Sequence, residues 1–412
     1  MKVCGIIAEY NPFHKGHLYH LQTAKELTGA DYTIVVMSGN FMQRGTPALA
    51  DKHIRTKAAL SCGADLVLEL PVYYACGSAE YFASGAVSLL DKLGIVTYLC
   101  FGSESGDLFP LQNISRILAE EPADFRMQLR EHLKSGLSFP GARAAALQDA
   151  CPQAEDVSLL LSSPNNILGI EYMKALYKRN SPIQPLTISR KGAAYHDTDL
   201  TGQFSSATAI RSALEQGAHM QDLADRLPHQ SYTVYADYFT GYSPLYADDF
   251  SAILHYKLLS EQQEGYASYL DVSNDLSDRI LKNLYLFTSF TGFCDLLKTK
   301  ELTYSRISRC LLHILLNIKK SDINVYVNEL DYTPYARILG FQRHAVPLLN
   351  EISKHTCIPL ISKLADAEKN IGDAPLDMLK KNIIADQIYY SVLAGKNHAS
   401  MKNEYSTPIV II

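Results

Sequence analysis

The chain has 412 residues, of which 47% are hydrophobic and 20% charged, with a formal net charge of −5 and a pI near 6.2. That length predicts two domains and ample core without covalent staples. The acidic balance excludes a generally basic nucleic-acid coat, though a local basic patch is compatible with it, and no apolar stretch reaches membrane-spanning length. The opening run is too short for a secretory signal. Eight cysteines are scattered with no CxxC pair, which argues against a zinc or thiol–disulfide motif and fits free thiols in a reducing cytoplasm.

In chain order, Val3–Ala8 predicts a strand that ends at Glu9, Tyr10, Asn11, Pro12 and Phe13, with a helix over His17–Leu27 stopped by Gly29. Strands at Tyr32–Met37, Leu66–Leu70 and Tyr98–Phe101 alternate with helices at Lys52–Cys62 and Ala79–Leu93. This rhythm predicts a parallel sheet with right-handed crossovers, whose ligands sit beyond the C-terminal strand ends. Residues 108–150 read as a helical insertion. Ser163 and Pro164 open another helix, and Ile183–Ile188 reads as a further strand. The rhythm stops near Leu227 and Pro228. Residues 1–228 are therefore expected to form an α/β Rossmann-like domain, and residues 229–412 a mostly helical one with a short strand-like run at Ile323–Val327.

The strand, turn and helix start at Ile7, Ala8 and Glu9 through His14, Lys15, Gly16 and His17 read as a nucleotide-binding corner. A helix N-terminus offers free N–H groups to phosphate, Gly16 permits close approach, and two histidines three apart can hydrogen-bond oxygens as charge builds at an α-phosphate. Taken alone, an HxGH tetrapeptide is also compatible with two ordinary loop histidines. A second element lies about two hundred residues on: Ser205, Ser206, Thr208 and Arg211, spaced SSxTxIR. Hydroxyls and a guanidinium at one helix start make a second phosphate grip, or a plain serine-capped helix with a solvated arginine.

HxGH after the first strand together with SSxTxIR after the last resembles the HIGH-superfamily nucleotidyltransferases. The segments from Glu9 to His17, Met37 to Gly45, Phe101 to Glu104, Ser163 to Gly169 and Tyr335 to Phe341 narrow that resemblance to the bacterial tRNA(Met) cytidine acetate ligases, over nearly the whole chain. The resemblance implies that ATP activates acetate to acetyl-adenylate with loss of pyrophosphate, and that the acetyl group passes to N4 of the wobble cytidine of elongator tRNA(Met). It implies His14, His17 and Arg211 as catalytic groups, and Gly102, Asn166, Arg190, Ser205, Ser206 and Thr208 as further ATP contacts. Magnesium is expected through the phosphates with no dedicated protein ligands. DNA and membrane partners are not expected.

Several readings stay open at this level. Lys15 adds charge or points to solvent. Asn166 contacts nucleotide or serves as a cap. Gly102 is a wall for adenosine or a tight turn. Arg190 and Lys191 flank phosphates or RNA, and Gln43 and Arg44 contact acetate or RNA. Asp51, Lys52 and Arg55 read as a charged solvated face. Arg306, Arg309, Arg337 and Arg343, with Lys319 and Lys320, are the RNA candidates of the C-terminal half. The competing functions are a small-molecule adenylyltransferase and a non-catalytic nucleotide- and RNA-binding module.

Overall fold

The computed structural model describes residues 1–151, 157–190 and 205–412. Its strands are β1 (Val3–Ala8), β2 (Tyr32–Ser38), β3 (Leu66–Leu70), β4 (Tyr98–Ser103), β5 (Gln184–Ser189), β6 (Ala336–Phe341), β7 (Leu360–Ile361) and β8 (Val410–Ile411). They form one sheet in the order β5-β4-β1-β2-β3-β6-β7, with β8 also on β6. All pairs are parallel except β3–β6. The expected parallel α/β sheet is thus present. β3 and all of β2 beyond Tyr32 are buried on both faces, as a sheet covered by helices on both sides requires.

The order places β1 at the centre, where the chain first winds one way to β2 and β3 and later the other way to β4 and β5. At such a reversal the loops leaving neighbouring strands part and leave a crevice at their C-terminal ends. Helix starts frame this crevice. His14 caps the Lys15–Thr28 helix and Gly29 ends it at φ 56°. Asp51 caps Lys52–Ser61 and Ser206 caps Ala207–Glu215. Residues 108–150 are three helices, Leu108–Glu120, Ala123–Lys134 and Phe139–Ala150, as expected of the insertion.

Beyond Pro228 most residues are helical, but the sheet does not stop at the expected boundary. β6, β7 and β8 all come from the C-terminal half and extend the N-terminal sheet past β3. The run Ile323–Val327 is not a strand. It lies in a helix, Lys320–Asn328, in which Ile323 and Tyr326 are buried three residues apart on one face, a spacing that suits the helical period better than alternation. Tyr326 packs edge-on against Tyr73 at 4.9 Å.

The expected solvated face at Asp51, Lys52 and Arg55 is instead fully buried. Arg55 donates from Nε to the Ala50 carbonyl and from Nη1 to the carbonyls of Glu9 and Ser38 at 2.7 and 3.0 Å, with Nη2 on Gly39. One guanidinium therefore satisfies the carbonyls where β1 and β2 end, a use its fixed fork of donors allows. Lys52 lies in a closed ion cluster: Nζ is 2.8 Å from Glu69 and 3.3 Å from Glu404, and it also pairs with Asp386. Arg337, expected as an RNA contact, completes that cluster. It lies on β6, 5% exposed, 2.9 Å from Glu69 and paired with Glu404. Buried guanidinium requires such partners, so Arg337 joins the two halves of the molecule rather than reaching RNA.

Candidate active site

A cavity opens at the C-terminal ends of β1, β4 and β5. Of the residues expected to contact nucleotide, Ile7, Ala8, Glu9, Tyr10, Asn11, His14, Gly16, His17, Gly102, Arg190, Ser205, Ser206, Thr208 and Arg211 line it. Phe13 is wholly buried behind the turn, and Pro12 and Lys15 are not on the wall. Lys191 lies outside the described residues.

The two histidines are held by the backbone. Gly16 N donates to His14 Nδ1 at 3.0 Å, and His14 N donates to His17 Nδ1 at 3.2 Å. An Nδ1 that accepts a hydrogen bond leaves the ring proton of a neutral imidazole on Nε2. The rings stack at 3.8 Å between centroids. Burial, reinforced by the charges of Arg190 and Arg211, lowers the His14 pKa to about 3; burial, with His14 and Arg190, holds His17 well below the usual histidine range. Both are therefore neutral hydrogen-bond donors at neutral pH in the ligand-free protein. The helix N-terminus behind them favours an anion and disfavours a second cation.

Because the folded pKa of His14 is below its unfolded value, the stability it supports is present above pH 6.5 and is lost as pH falls toward 3. His14→Asn preserves a capping side chain. We expect its urea midpoint to fall less steeply between pH 6.5 and 4 than that of the parent protein; equal slopes would contradict the assignment.

The second jaw meets the first directly. Arg211 Nη1 donates to the Asn11 carbonyl at 2.9 Å and Nη2 to Thr208 Oγ1 at 3.0 Å. Asn11 Oδ1 in turn accepts from Leu49 N at 2.9 Å. Ser206 Oγ accepts from Ala209 N at 3.0 Å. The Ser205 hydroxyl is buried on the cavity wall with no hydrogen-bond partner among the described residues. A buried hydroxyl is costly to leave unpaired, and a phosphate oxygen would complete it. Gly102 leaves a smooth wall, since a Cβ there would meet Arg190 Cγ at 3.4 Å.

Asn166 is not on this wall. Its Oδ1 accepts from Glu104 N and Ser105 N, while its own N–H donates to Glu104 Oε2 at 2.9 Å. The pair locks the loop after β4 to the start of the Pro164–Lys178 helix. The neighbouring Asn165 lines the cavity, its Nδ2 held 2.6 Å from Glu104 Oε1. Glu104 therefore orients an amide and a helix start.

Residues that sequence reading missed complete the site. His20, one turn beyond His17, lines the cavity with its pKa lowered to about 4, chiefly by burial; its i+3 spacing from His17 was the available signal. The turn is braced from behind by the His229–Gly241 helix. The Tyr235 hydroxyl accepts from Phe13 N at 3.1 Å and Ser231 Oγ donates to the Phe13 carbonyl at 2.8 Å. Nothing local in the sequence marks that brace.

Gln43 and Arg44 also line the cavity. Their loop docks on the Tyr304–Leu315 helix, where Ser308 Oγ donates to the Gly45 carbonyl at 2.8 Å. Gly45 has φ 79°, and a Cβ there would sit 2.4 Å from Arg309 N. Gly45→Ala is expected to cost at least about 1–3 kcal/mol of local strain, read as faster proteolysis within residues 39–51. Proteolysis at the parent rate would contradict this docking. Arg309 is largely buried beside Asp271 at 3.8 Å, whereas Arg306 is exposed on the same helix. Arg343 is exposed at the opposite end of the sheet, just past the pairing of Phe341 with the first residue of β3. Lys320 Nζ donates to the carbonyls of Ala267 and Val272, and Lys319 lies over the Tyr269 ring.

The fold and the two-jawed site are those of a HIGH-class nucleotidyltransferase, and the sequence model of the HIGH Nucleotidyl Transferase family matches residues 1–405. The protein named tRNA(Met) cytidine acetate ligase in Acetivibrio thermocellus is 41% identical, and its namesake in Thermoanaerobacter sp. strain X514 is 43% identical, each alignment covering 100% of both chains. The crystal structures of Thermotoga maritima TmcAL, apo and bound with alpha-thio ATP, superpose with TM-scores of 0.94 and 0.92 at 35% identity, covering 100% of both chains. The chain belongs to the tRNA(Met) cytidine acetate ligase family.

Proposed function

We propose that this chain uses ATP to activate acetate as acetyl-adenylate, releasing pyrophosphate, and transfers the acetyl group to N4 of the wobble cytidine of elongator tRNA(Met). The observation that carries this reading is the closed pair of jaws, in which Arg211 reaches Asn11 beside two backbone-oriented neutral histidines. The full-length likeness to the named ligases supplies the substrates.

Acetate is fully ionised at neutral pH, so adenylation needs no general base. Its carboxylate oxygen attacks the α-phosphorus while the bond to the bridging oxygen of pyrophosphate breaks. What the protein must supply is in-line positioning and stabilisation of charge on the phosphoryl oxygens. His14 and His17 offer Nε2–H donors, and Arg211 and Arg190 offer guanidinium charge toward the leaving group. Ser205 and Thr208 add hydroxyls at a helix start. Magnesium would enter with the triphosphate, held largely by phosphate and water; among the described residues no group of three or more His, Cys, Asp or Glu stands together to hold a metal. No helix among them is long and apolar enough to cross a membrane.

For tRNA, Arg44 on the cavity wall and the exposed Arg306 on the helix that its loop docks on are the candidate contacts, and such contacts would make affinity salt-dependent. The test is ATP–pyrophosphate exchange. It should require acetate and should not be supported by a phosphorylated cofactor precursor in its place. Exchange with the phosphorylated compound alone would favour a small-molecule adenylyltransferase; RNA binding without exchange would favour a non-catalytic module.

A further inference from the structure

The cavity lining is chemically mixed. It gathers Arg190, Arg211 and the neutral histidines. The same lining also holds a carboxylate, Glu9, and three aromatic rings: Phe82, Phe101 and Tyr172, each no more than 5% exposed. Phe101 and Tyr172 stand 5.9 Å apart between ring centroids. The Glu9 carboxylate is fixed by one hydrogen bond, Gln43 N to Oε1 at 2.7 Å, and its backbone by Arg55 Nη1 to the carbonyl at 2.7 Å. It forms no ion pair among the described residues. Its charge, after burial, helps push the Tyr172 and Cys76 protons toward being retained.

An anion on the wall of a triphosphate site opposes triphosphate binding, so Glu9 needs another reason to be there. Acetyl transfer supplies one. The exocyclic N4 of cytidine is a poor nucleophile, because its lone pair is delocalised into the ring, and it carries two protons, one of which must leave as the amide forms. A carboxylate accepting from the cytosine 4-amino group is a standard base-edge contact, and aromatic walls suit a base splayed out of a loop.

Resting on the acetyl-transfer reading above, we propose that Glu9 is the general base of the second half-reaction and the acceptor that selects an amino-bearing pyrimidine. N4 attacks the carbonyl carbon of acetyl-adenylate and the C–N bond forms. The C–O bond of the mixed anhydride breaks, AMP leaves with the electron pair, and the N4 proton passes to Glu9 Oε2. The neutral acid then returns that proton to water.

The experiment separates the half-reactions. Glu9→Gln retains an acceptor for the Gln43 N–H. Single-turnover transfer from preformed acetyl-adenylate to elongator tRNA(Met) should fall about a hundredfold or more, while acetate-dependent exchange falls by a much smaller factor. Glu9→Asp should recover part of the transfer rate. Transfer at the parent rate in Glu9→Gln would overturn the proposal. So would an equal loss of exchange and transfer, which would assign the carboxylate to adenylation, for example to magnesium at the phosphates. Absence of acetate-dependent exchange in the parent protein would instead refute the function on which the proposal rests.

Discussion

Arg211→Ala is expected to lower acetate-dependent ATP–pyrophosphate exchange by about two to three orders of magnitude, the usual loss when one preorganised donor to a charge-developing transition state is removed. The guanidinium has two tasks here. It presents charge to the phosphates, and it ties the two jaws together through the Asn11 carbonyl, with Thr208 fixing its second nitrogen. Arg211→Lys should therefore recover little. An ammonium supplies the charge as a point but cannot hold the carbonyl and hydroxyl in the planar fork of a guanidinium. The assay is exchange at saturating ATP and acetate. Exchange at the parent rate in Arg211→Ala would remove Arg211 from the clamp.

Arg337→Ala is expected to destabilise the fold by about 3–5 kcal/mol, the cost of stripping one partner from a buried ion cluster. Burial raises the Asp386 carboxyl, and Lys52 and Arg337 offset the charges of Glu69 and Glu404 around it. Loss of Arg337 leaves a net buried negative charge where β3, β6, the Asp373–Asn397 helix and the C-terminal segment meet. The consequence is a lower unfolding midpoint with tRNA affinity unchanged per folded molecule. A stable variant with weakened tRNA binding would return Arg337 to the surface role that its position in the sequence first suggested.

These two arginines show what can be read from sequence. Arg211 was legible because its partners are local: two serines, a threonine and an arginine at fixed spacing on one helix start, matched by HxGH on another. Arg337 was not, since a charged residue in sequence carries no sign of burial and its counter-charges, Glu69, Asp386 and Glu404, lie 49 to 268 residues away. The same reason hid Asp51, Lys52 and Arg55. β7 and β8 escaped because two residues cannot show an alternation, and they exist through pairing with β6 rather than through propensity. The motif pointed to Asn166, whereas Asn165 lines the cavity, because which side chain faces it depends on how Glu104 pins the helix start. The five strands of the N-terminal sheet and the insertion helices, by contrast, followed from apolar runs and glycine stops.

The reaction proposed for this chain is acetyl transfer to one base of one tRNA through an adenylate. The most direct measurement incubates the purified protein with ATP, carbon-14-labelled acetate and elongator tRNA(Met), then digests the RNA to nucleosides and locates the label by chromatography and mass. The expected result is ATP- and acetate-dependent N4-acetylcytidine at the wobble position, with AMP and pyrophosphate released in equal amounts. Label that stays in a small-molecule adenylate with no acetylcytidine in the tRNA, or acetylcytidine formed without ATP, would contradict it.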